Sequence, residues 1–278
     1  MKIKDKKVKF FGLLCLSITL LVSLTPSTYS GFASSENKTL IQPQGTQNMS
    51  TNATNIVLVH GGWADGSGWS KEIPILRDAG HRVIAVQLPT HSLSDDVETV
   101  KRAIAHIGGP TILVGHSYGG EVITNAAYNN PNVTGLVYVA AWALDEGESI
   151  SSFVDPSKYP KELFIVDSGG FMYLNPEIFR ENFAQDVDPA EAELMAIVQK
   201  PFNQSIFMEK SGPPAWKQLP TWYQISDADR MIPPDVERQF AERMNATSLS
   251  LNASHASYVS HPNEIAELIL NATKGSTK

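Results

Sequence analysis

Cysteine is almost absent. The single one, Cys15, lies in an apolar run near the N-terminus. A chain with one cysteine cannot close an intramolecular disulfide, so its stability must come from a packed core. Membrane-spanning runs are missing as well: residues 10–24 form an apolar stretch of 15, short of the roughly 18–20 needed to cross a bilayer. Lysine and arginine cluster only within the first nine residues, and the overall balance is acidic, 22 Lys+Arg against 29 Asp+Glu for a net charge of −7. That excludes a basic nucleic-acid groove. No His, Cys and carboxylate grouping has metal-ligand spacing, and no glycine-rich phosphate cradle occurs, so neither a metal nor a nucleotide cofactor is implied. What remains is ordinary: 278 residues, 42% hydrophobic and 18% charged, enough for one large α/β domain with a full core.

Lys2, Lys4, Lys6, Lys7 and Lys9 precede the apolar run, and small residues follow it. This is the order of a secretory signal, so residues 1–33 are expected to be removed on export, by a cut after Ala33 or Ser30. The alternative is an uncleaved N-terminal membrane anchor. No small-residue lipobox precedes Cys15, which argues against a lipoprotein. Removing residues 1–33 leaves 17 basic and 28 acidic side chains and no cysteine, an acidic extracytoplasmic domain. Residues 34–54 are polar and aperiodic and read as a flexible linker. Asn-x-Ser/Thr occurs at Asn37, Asn48, Asn52, Asn132, Asn203, Asn245, Asn252 and Asn271, an excess that raises glycosylation as a hypothesis.

From residue 55 onward short β-branched runs (56–60, 82–88, 111–116, 135–141, 221–225, 247–251) alternate with helical stretches (69–79, 93–107, 118–128, 234–244, 262–272). Four to eight apolar residues linked by helical crossovers imply a mostly parallel sheet covered on both faces. Gly80 is placed to end the first helix, and Ser94 to cap the second. The alternation breaks at about 145–219, where helical pieces (176–184, 189–198) stand between turns and no strong strand appears. Some 75 residues is too long for a bare loop, so a folded insertion is expected there.

The strongest chemical signal is Thr111-Ile-Leu-Val-Gly115-His116-Ser117-Tyr118-Gly119-Gly120. A strand leads into G-x-S-x-G and a helix-compatible stretch follows. A serine at so sharp a turn takes a strained backbone, and flanking glycines remove side chains that would collide. The hydroxyl then stands beside amides at a helix N-terminus, suited to developing negative charge. Such a serine needs a base, and the base an acid. In this architecture the order is serine, acid, histidine, which leaves His255 and His261. His255 follows the run 247–251; His261 abuts Pro262 and reads as a capping or surface residue. His116, within the motif, reads as packing. The acid belongs on the loop after 221–225, where Asp227 and Asp229 both stand. A second oxyanion donor belongs after the first strand, in Val59-His60-Gly61-Gly62-Trp63, which pairs the amide of Gly62 with that of Tyr118. His60 reads as a support of that loop.

Together these residues resemble the α/β-hydrolase superfamily over about residues 55–272. VLVHGGWADGSGW, ILVGHSYGG, VYVAAWALDEGES, DRMIPPDVERQFAERM and SHASYVSHPNEIAELI look like the small-cap branch of plant methylesterases, hydroxynitrile lyases and bacterial esterase-like relatives. The resemblance implies an α/β-hydrolase fold with a helical cap at about 145–219. It implies Asp229, four residues before Pro233, as the acid, with Asp227 in a loop-capping role, and His255 as the base. Haloalkane dehalogenases and epoxide hydrolases of the superfamily carry aspartate at the Ser117 position, so those chemistries are rejected. Hydroxynitrile lyases carry lysine after the histidine; Ala256 stands there, and the charge that would hold cyanide is missing.

The expectation is a serine carboxylesterase without cofactor, acting on small to medium apolar esters through Ser117, His255 and Asp229. Trp63, Trp142, Tyr118 and Phe171 are expected around an apolar pocket, with Met172 and Phe183 closing it from the cap. The alternatives are a lactonase or perhydrolase on the same three residues, or a non-catalytic ligand-binding homologue.

Overall fold

A computed structural model describes residues 54–275. The expected signal segment and most of the expected linker lie outside the described residues, as do three of the Asn-x-Ser/Thr sites. Of the other five, Asn132, Asn245, Asn252 and Asn271 are exposed, and Asn203 is half-buried, its side chain accepting the Ser205 N–H.

Six strands form one parallel sheet: β1 (Asn55–Val59), β2 (Val83–Ala85), β3 (Thr111–His116), β4 (Val133–Val139), β8 (Thr221–Ser226) and β9 (Thr247–Leu251), in the order β2-β1-β3-β4-β8-β9. The central strands NIVLV and TILVGH are buried along their whole length, as continuous apolar runs must be when helices cover both faces. Those helices are α1 (Glu72–Asp78), α2 (Leu93–Ile107), α3 (Tyr118–Ala126), α6 (Pro234–Arg243) and α8 (Pro262–Gly275), the last preceded by the single turn α7 (Ser257–Ser260). Strand order reverses at β1, with β2 on one side and β3 on the other. In an open parallel sheet such a switch leaves a crevice beyond the strands' carboxyl ends.

In α2, Leu93, Val97, Val100, Ile104 and Ile107 recur every three or four residues and are all buried. Its cap is Ser92, whose hydroxyl accepts the Asp95 N–H, rather than the expected Ser94. Gly80 follows α1 at φ 93°, as expected of a residue that ends a helix in the left-handed region. Strand β2 is shorter than the apolar run 82–88 suggests. Val86 still donates to the Leu58 carbonyl of β1, and beyond it the backbone turns to other partners: the Leu88 N–H donates to His60 Nε2 and the Leu88 carbonyl accepts from Lys200.

Between β4 and β8 the chain builds a cap from α4 (Pro176–Phe183), α5 (Pro189–Val198) and strands β5 (Phe164–Val166), β6 (Phe171–Leu174) and β7 (Phe202–Asn203). Both cap helices start alike, with Asn175 or Asp188 capping a proline at the first turn. The three strands form an antiparallel sheet, β5-β6-β7, where the sequence shows no strong strand run. The β5–β6 hairpin turns at Asp167-Ser-Gly-Gly, its Asp167 carboxylate accepting from the Gly169 and Phe171 amides. Strands of two to four residues are too short for alternation to register.

A carboxyl is buried in this core without a hydrogen-bond partner. Glu72 opens α1 and is completely buried, and burial pushes its carboxyl up to about 8. The unfolded chain ionises that carboxyl near 4.5, before the folded protein does. Its contribution is therefore whole below about pH 4.5 and drains away as pH rises to about 8, by on the order of 1 kcal/mol per pH unit. Glu72→Gln is expected to gain thermal stability relative to the wild type progressively between pH 5 and 8 in a melting series; a pH-independent difference would refute this.

Candidate active site

The site begins with a backbone that only close packing sustains. Ser117 ends β3 and caps α3 at φ 53° and ψ −123°. Its amide donates to the Val139 carbonyl at 3.1 Å, and its own carbonyl accepts from Gly120 and Trp142 at 2.9 and 3.1 Å. A Cβ on Gly115 would lie 2.5 Å from the Gly119 carbonyl oxygen, and one on Gly119 2.6 Å from that of Val59. Neither position admits a side chain, which is the steric content of the G-x-S-x-G spacing. Trp63 (φ 57°) and Ala140 (φ 43°), beyond the ends of β1 and β4, share the left-handed strain.

Three side chains from separate loops converge here. Ser117 Oγ lies 2.8 Å from His255 Nε2, and His255 Nδ1 lies 2.6 Å from Asp229 Oδ2. All three are buried. The second Asp229 oxygen accepts the amides of Met231 and Ile232 at 2.6 and 2.8 Å, which fixes the carboxylate toward the imidazole. Asp227, the other loop aspartate, is occupied elsewhere by Arg238 and the Ser250 hydroxyl. His261 bonds to Ser260 and stands before α8, away from the serine.

Gly61 touches the serine so closely that a Cβ there would meet Ser117 Cβ at 2.6 Å. The loop carrying Gly62 therefore lies against the Ser117 Cβ, while Tyr118 opens α3, where the first amides have no intrahelical acceptor. His60 fastens this loop. Its Nδ1–H donates to the Gly61 carbonyl at 2.8 Å and its Nε2 accepts the Leu88 N–H at 3.0 Å. The second bond requires the neutral ring, and burial pushes its pKa down to about 4.

Several further groups carry the arrangement without a strong sequence signal. The His116 ring does not reach the serine; its Nε2–H donates to the His255 carbonyl at 2.8 Å, holding the loop that presents the imidazole. Phe183 sets its ring edgewise to His255, centroids 4.9 Å apart. Asp96, buried on α2, accepts the Tyr118 hydroxyl at 2.7 Å and the Thr90 amide at 2.8 Å, which pins the start of α3 from behind. Glu237, on α6, is wholly buried; one oxygen accepts the Ser226 N–H at 2.9 Å. Its neighbour Asp229 offers only acceptors. Burial first, then the Asp229 charge, raise the Glu237 carboxyl well above the usual range, which favours its acid form. A carboxylate in the apolar stripe that includes Phe240 and Ala241 was the one available hint.

The pocket over Ser117 and His255 is lined by Trp63, Trp142, Val154, Tyr159, Phe164, Phe207, Met231 and Ile232. Trp63 and Trp142 stand where expected, and the others come from the cap and the Asp229 loop. Phe171 does not line it: β6 turns that ring edgewise against His91, 5.4 Å between centroids. Met172 contributes its carbonyl, which accepts the Trp63 indole N–H at 3.1 Å, and Phe183 stands behind the imidazole. Among the described residues no group of three His, Cys, Asp or Glu side chains is placed to hold a metal ion. Chemically, the arrangement can move a proton from a hydroxyl to an imidazole while amides face the resulting negative charge.

The protonated state of Glu237 has a direct test. Glu237→Gln supplies an uncharged donor of the same shape and is expected to keep turnover within about threefold. Glu237→Ala leaves the buried Ser226 N–H without its acceptor at the head of the Asp229 loop, with kcat expected to fall at least tenfold and stability by about 1–3 kcal/mol. Equal effects of both changes, in steady-state kinetics and urea melts, would remove the inference.

Residues 56–268 match the alpha/beta hydrolase family. A pyrethroid hydrolase of Sphingobium wenxiniae is 31% identical over 245 residues, covering 78% of this chain and 86% of that one. Methylesterase 1 of Arabidopsis thaliana is 25% identical over 214 residues, covering 66% and 81%. The crystal structure of a pyrethroid hydrolase from Sphingobium faniae superposes with a TM-score of 0.68 at 27% identity, covering 80% of this chain and 98% of that one. With its parallel sheet, its strained serine turn and these relatives, the chain belongs to the alpha/beta hydrolase family.

Proposed function

We propose that the protein is a serine carboxylesterase that cleaves small to medium, largely apolar esters through an acyl-enzyme. The observation that carries this reading is the continuous line from Ser117 Oγ to His255 Nε2 (2.8 Å) and from His255 Nδ1 to Asp229 Oδ2 (2.6 Å), buried beneath an aromatic pocket. As Ser117 attacks the ester carbonyl, its proton passes to His255 Nε2. Asp229 holds the tautomer that leaves Nε2 free to accept and stabilises the imidazolium that forms. The carbonyl oxygen becomes an oxyanion between the amides of Gly62 and Tyr118, which His60 and Asp96 keep in place. His255 then gives the proton to the departing alkoxide. Water, activated by the same imidazole, attacks the acyl-enzyme, and Ser117 leaves with its proton restored.

Relatives named pyrethroid hydrolase, carbendazim hydrolyzing esterase and methylesterase support ester chemistry as the reaction class. The aromatic and aliphatic lining supports an uncharged substrate. Ser117→Ala is expected to lower kcat/KM on p-nitrophenyl butyrate by several orders of magnitude and to abolish labelling by a fluorophosphonate probe. Asp229→Asn is expected to cost on the order of 10³–10⁴ in kcat by favouring the wrong tautomer. Labelling that persists in Ser117→Ala, or a wild-type chain that neither labels nor hydrolyses, would overturn the proposal.

A further inference from the structure

The pocket over Ser117 is small. Its volume is about 40 Å³, whereas sites that enclose a drug-sized ligand run to roughly 300–1,000 Å³. A second cavity, of about 240 Å³, lies beside it between the cap helix α5 and the turn that follows Trp63. Trp63 is on the wall of both. The residue shared by the two walls is thus the one directly after Gly62. It shares the wall of the smaller pocket with Ser117 and His255.

The larger cavity is built to take apolar matter. Leu194, Met195 and Val198 of α5 form its roof and Tyr258 part of its floor. Leu194 and Val198 remain 58% and 53% exposed, an unusual amount of apolar side chain for a helix to leave open. The charged groups at its edge are already engaged. Glu191 pairs with Lys71 at 2.8 Å, and the Asp65 carboxylate accepts the Ser67 amide at 2.7 Å. Lys71 also donates to the Val259 carbonyl at 2.9 Å, which ties α5 to the body of the domain and sets the height of the roof. The floor is closed, since a Cβ on Gly68 would lie 2.7 Å from the Tyr258 ring. The Trp63 indole, by contrast, is held by one hydrogen bond to Met172 and by tilted contacts with Phe164 and Phe202 at 5.4 and 5.6 Å.

We propose that this cavity is the second half of the substrate site: it receives the long apolar arm of an ester whose carbonyl is at Ser117, and Trp63 is the partition that sets how long that arm can be. The inference rests on the esterase reading above and extends it to a substrate class, esters with one short arm and one extended, uncharged hydrocarbon or aryl arm.

The test uses two homologous series, p-nitrophenyl alkanoates from acetate to decanoate and alkyl acetates from methyl to decyl, with kcat/KM measured for each. Val198→Trp fills the cavity from its exposed side, and is expected to lower the long-to-short kcat/KM ratio at least tenfold in one series. Trp63→Ala removes the partition and is expected to raise that ratio at least tenfold in the same series. The series that responds identifies the arm as acyl or alcohol. Should Trp63→Ala fail to fold, Val198→Trp and Met195→Trp decide alone. If the wild type hydrolyses the acetates and every folded variant keeps both ratios within twofold, the cavity proposal is overturned and the esterase reading stands. A wild type that hydrolyses no member of either series overturns the esterase reading itself.

Discussion

Everything at the site depends on how closely backbone can approach backbone around Ser117. The hydroxyl reaches an imidazole because its residue is held at φ 53°, a conformation that costs a non-glycine residue on the order of 1–3 kcal/mol. Three glycines make the cost bearable. Gly115 and Gly119 allow strand and helix to meet without side chains between them, and Gly61 lets the neighbouring loop rest against Ser117 Cβ. The Val59, Val139 and Ser117 carbonyls all fall within this same contact, so the turn is held by the ends of three adjacent strands. A packed sheet supplies the rigidity that the strain requires.

Around that turn, charge is managed by burial. Asp229 is the buried carboxylate that faces the imidazole, and two backbone amides compensate it. Glu237 beside it is kept in its acid form, so one negative charge occupies the space of two carboxyl groups. His60 and His116 are likewise held neutral by burial, each with an N–H on a carbonyl of the loops bearing Gly62 and His255. Asp96, on the far side of α3, is bonded to Tyr118. These groups fix directions rather than react, which is what preorganisation demands in a water-poor site.

The sheet and the meeting of Ser117 with His255 were legible because both follow from order along the chain. Apolar runs of strand length alternate with helical periods, and one serine sits where strand passes to helix. Asp229 was harder: Asp227 is equally acidic and two residues away, and only the family pattern preferred one over the other. The structure shows the difference as partners, Arg238 for Asp227 and the imidazole for Asp229. The cap was legible as an insertion but not as a sheet, since β7 has two residues and its pairing with β6 is long-range. Phe171 was misplaced for that reason: in so short a strand, periodicity does not say which way a side chain faces. Glu237 and Asp96 were missed because a buried carboxyl is meaningful only once its tertiary partner is known.

The cap leaves the sheet at the end of β4 and returns at β8, and these two strands are hydrogen-bonded neighbours. The two strands are parallel, Leu136 facing Thr221 and Val139 facing Gln224, so the chain leaves at the carboxyl end of β4 and re-enters at the amino end of β8, about 10 Å back along the strands. The connection therefore has to run back along the sheet as well as over it, and its length is bounded below by that span, while the register of β4 against β8 holds the sheet under Ser117. The cap supplies only one side of the pocket wall, through Val154, Tyr159, Phe164 and Phe207, and the loops of the sheet supply the other through Trp63, Trp142, Met231 and Ile232, so a change in the cap reshapes half of the wall.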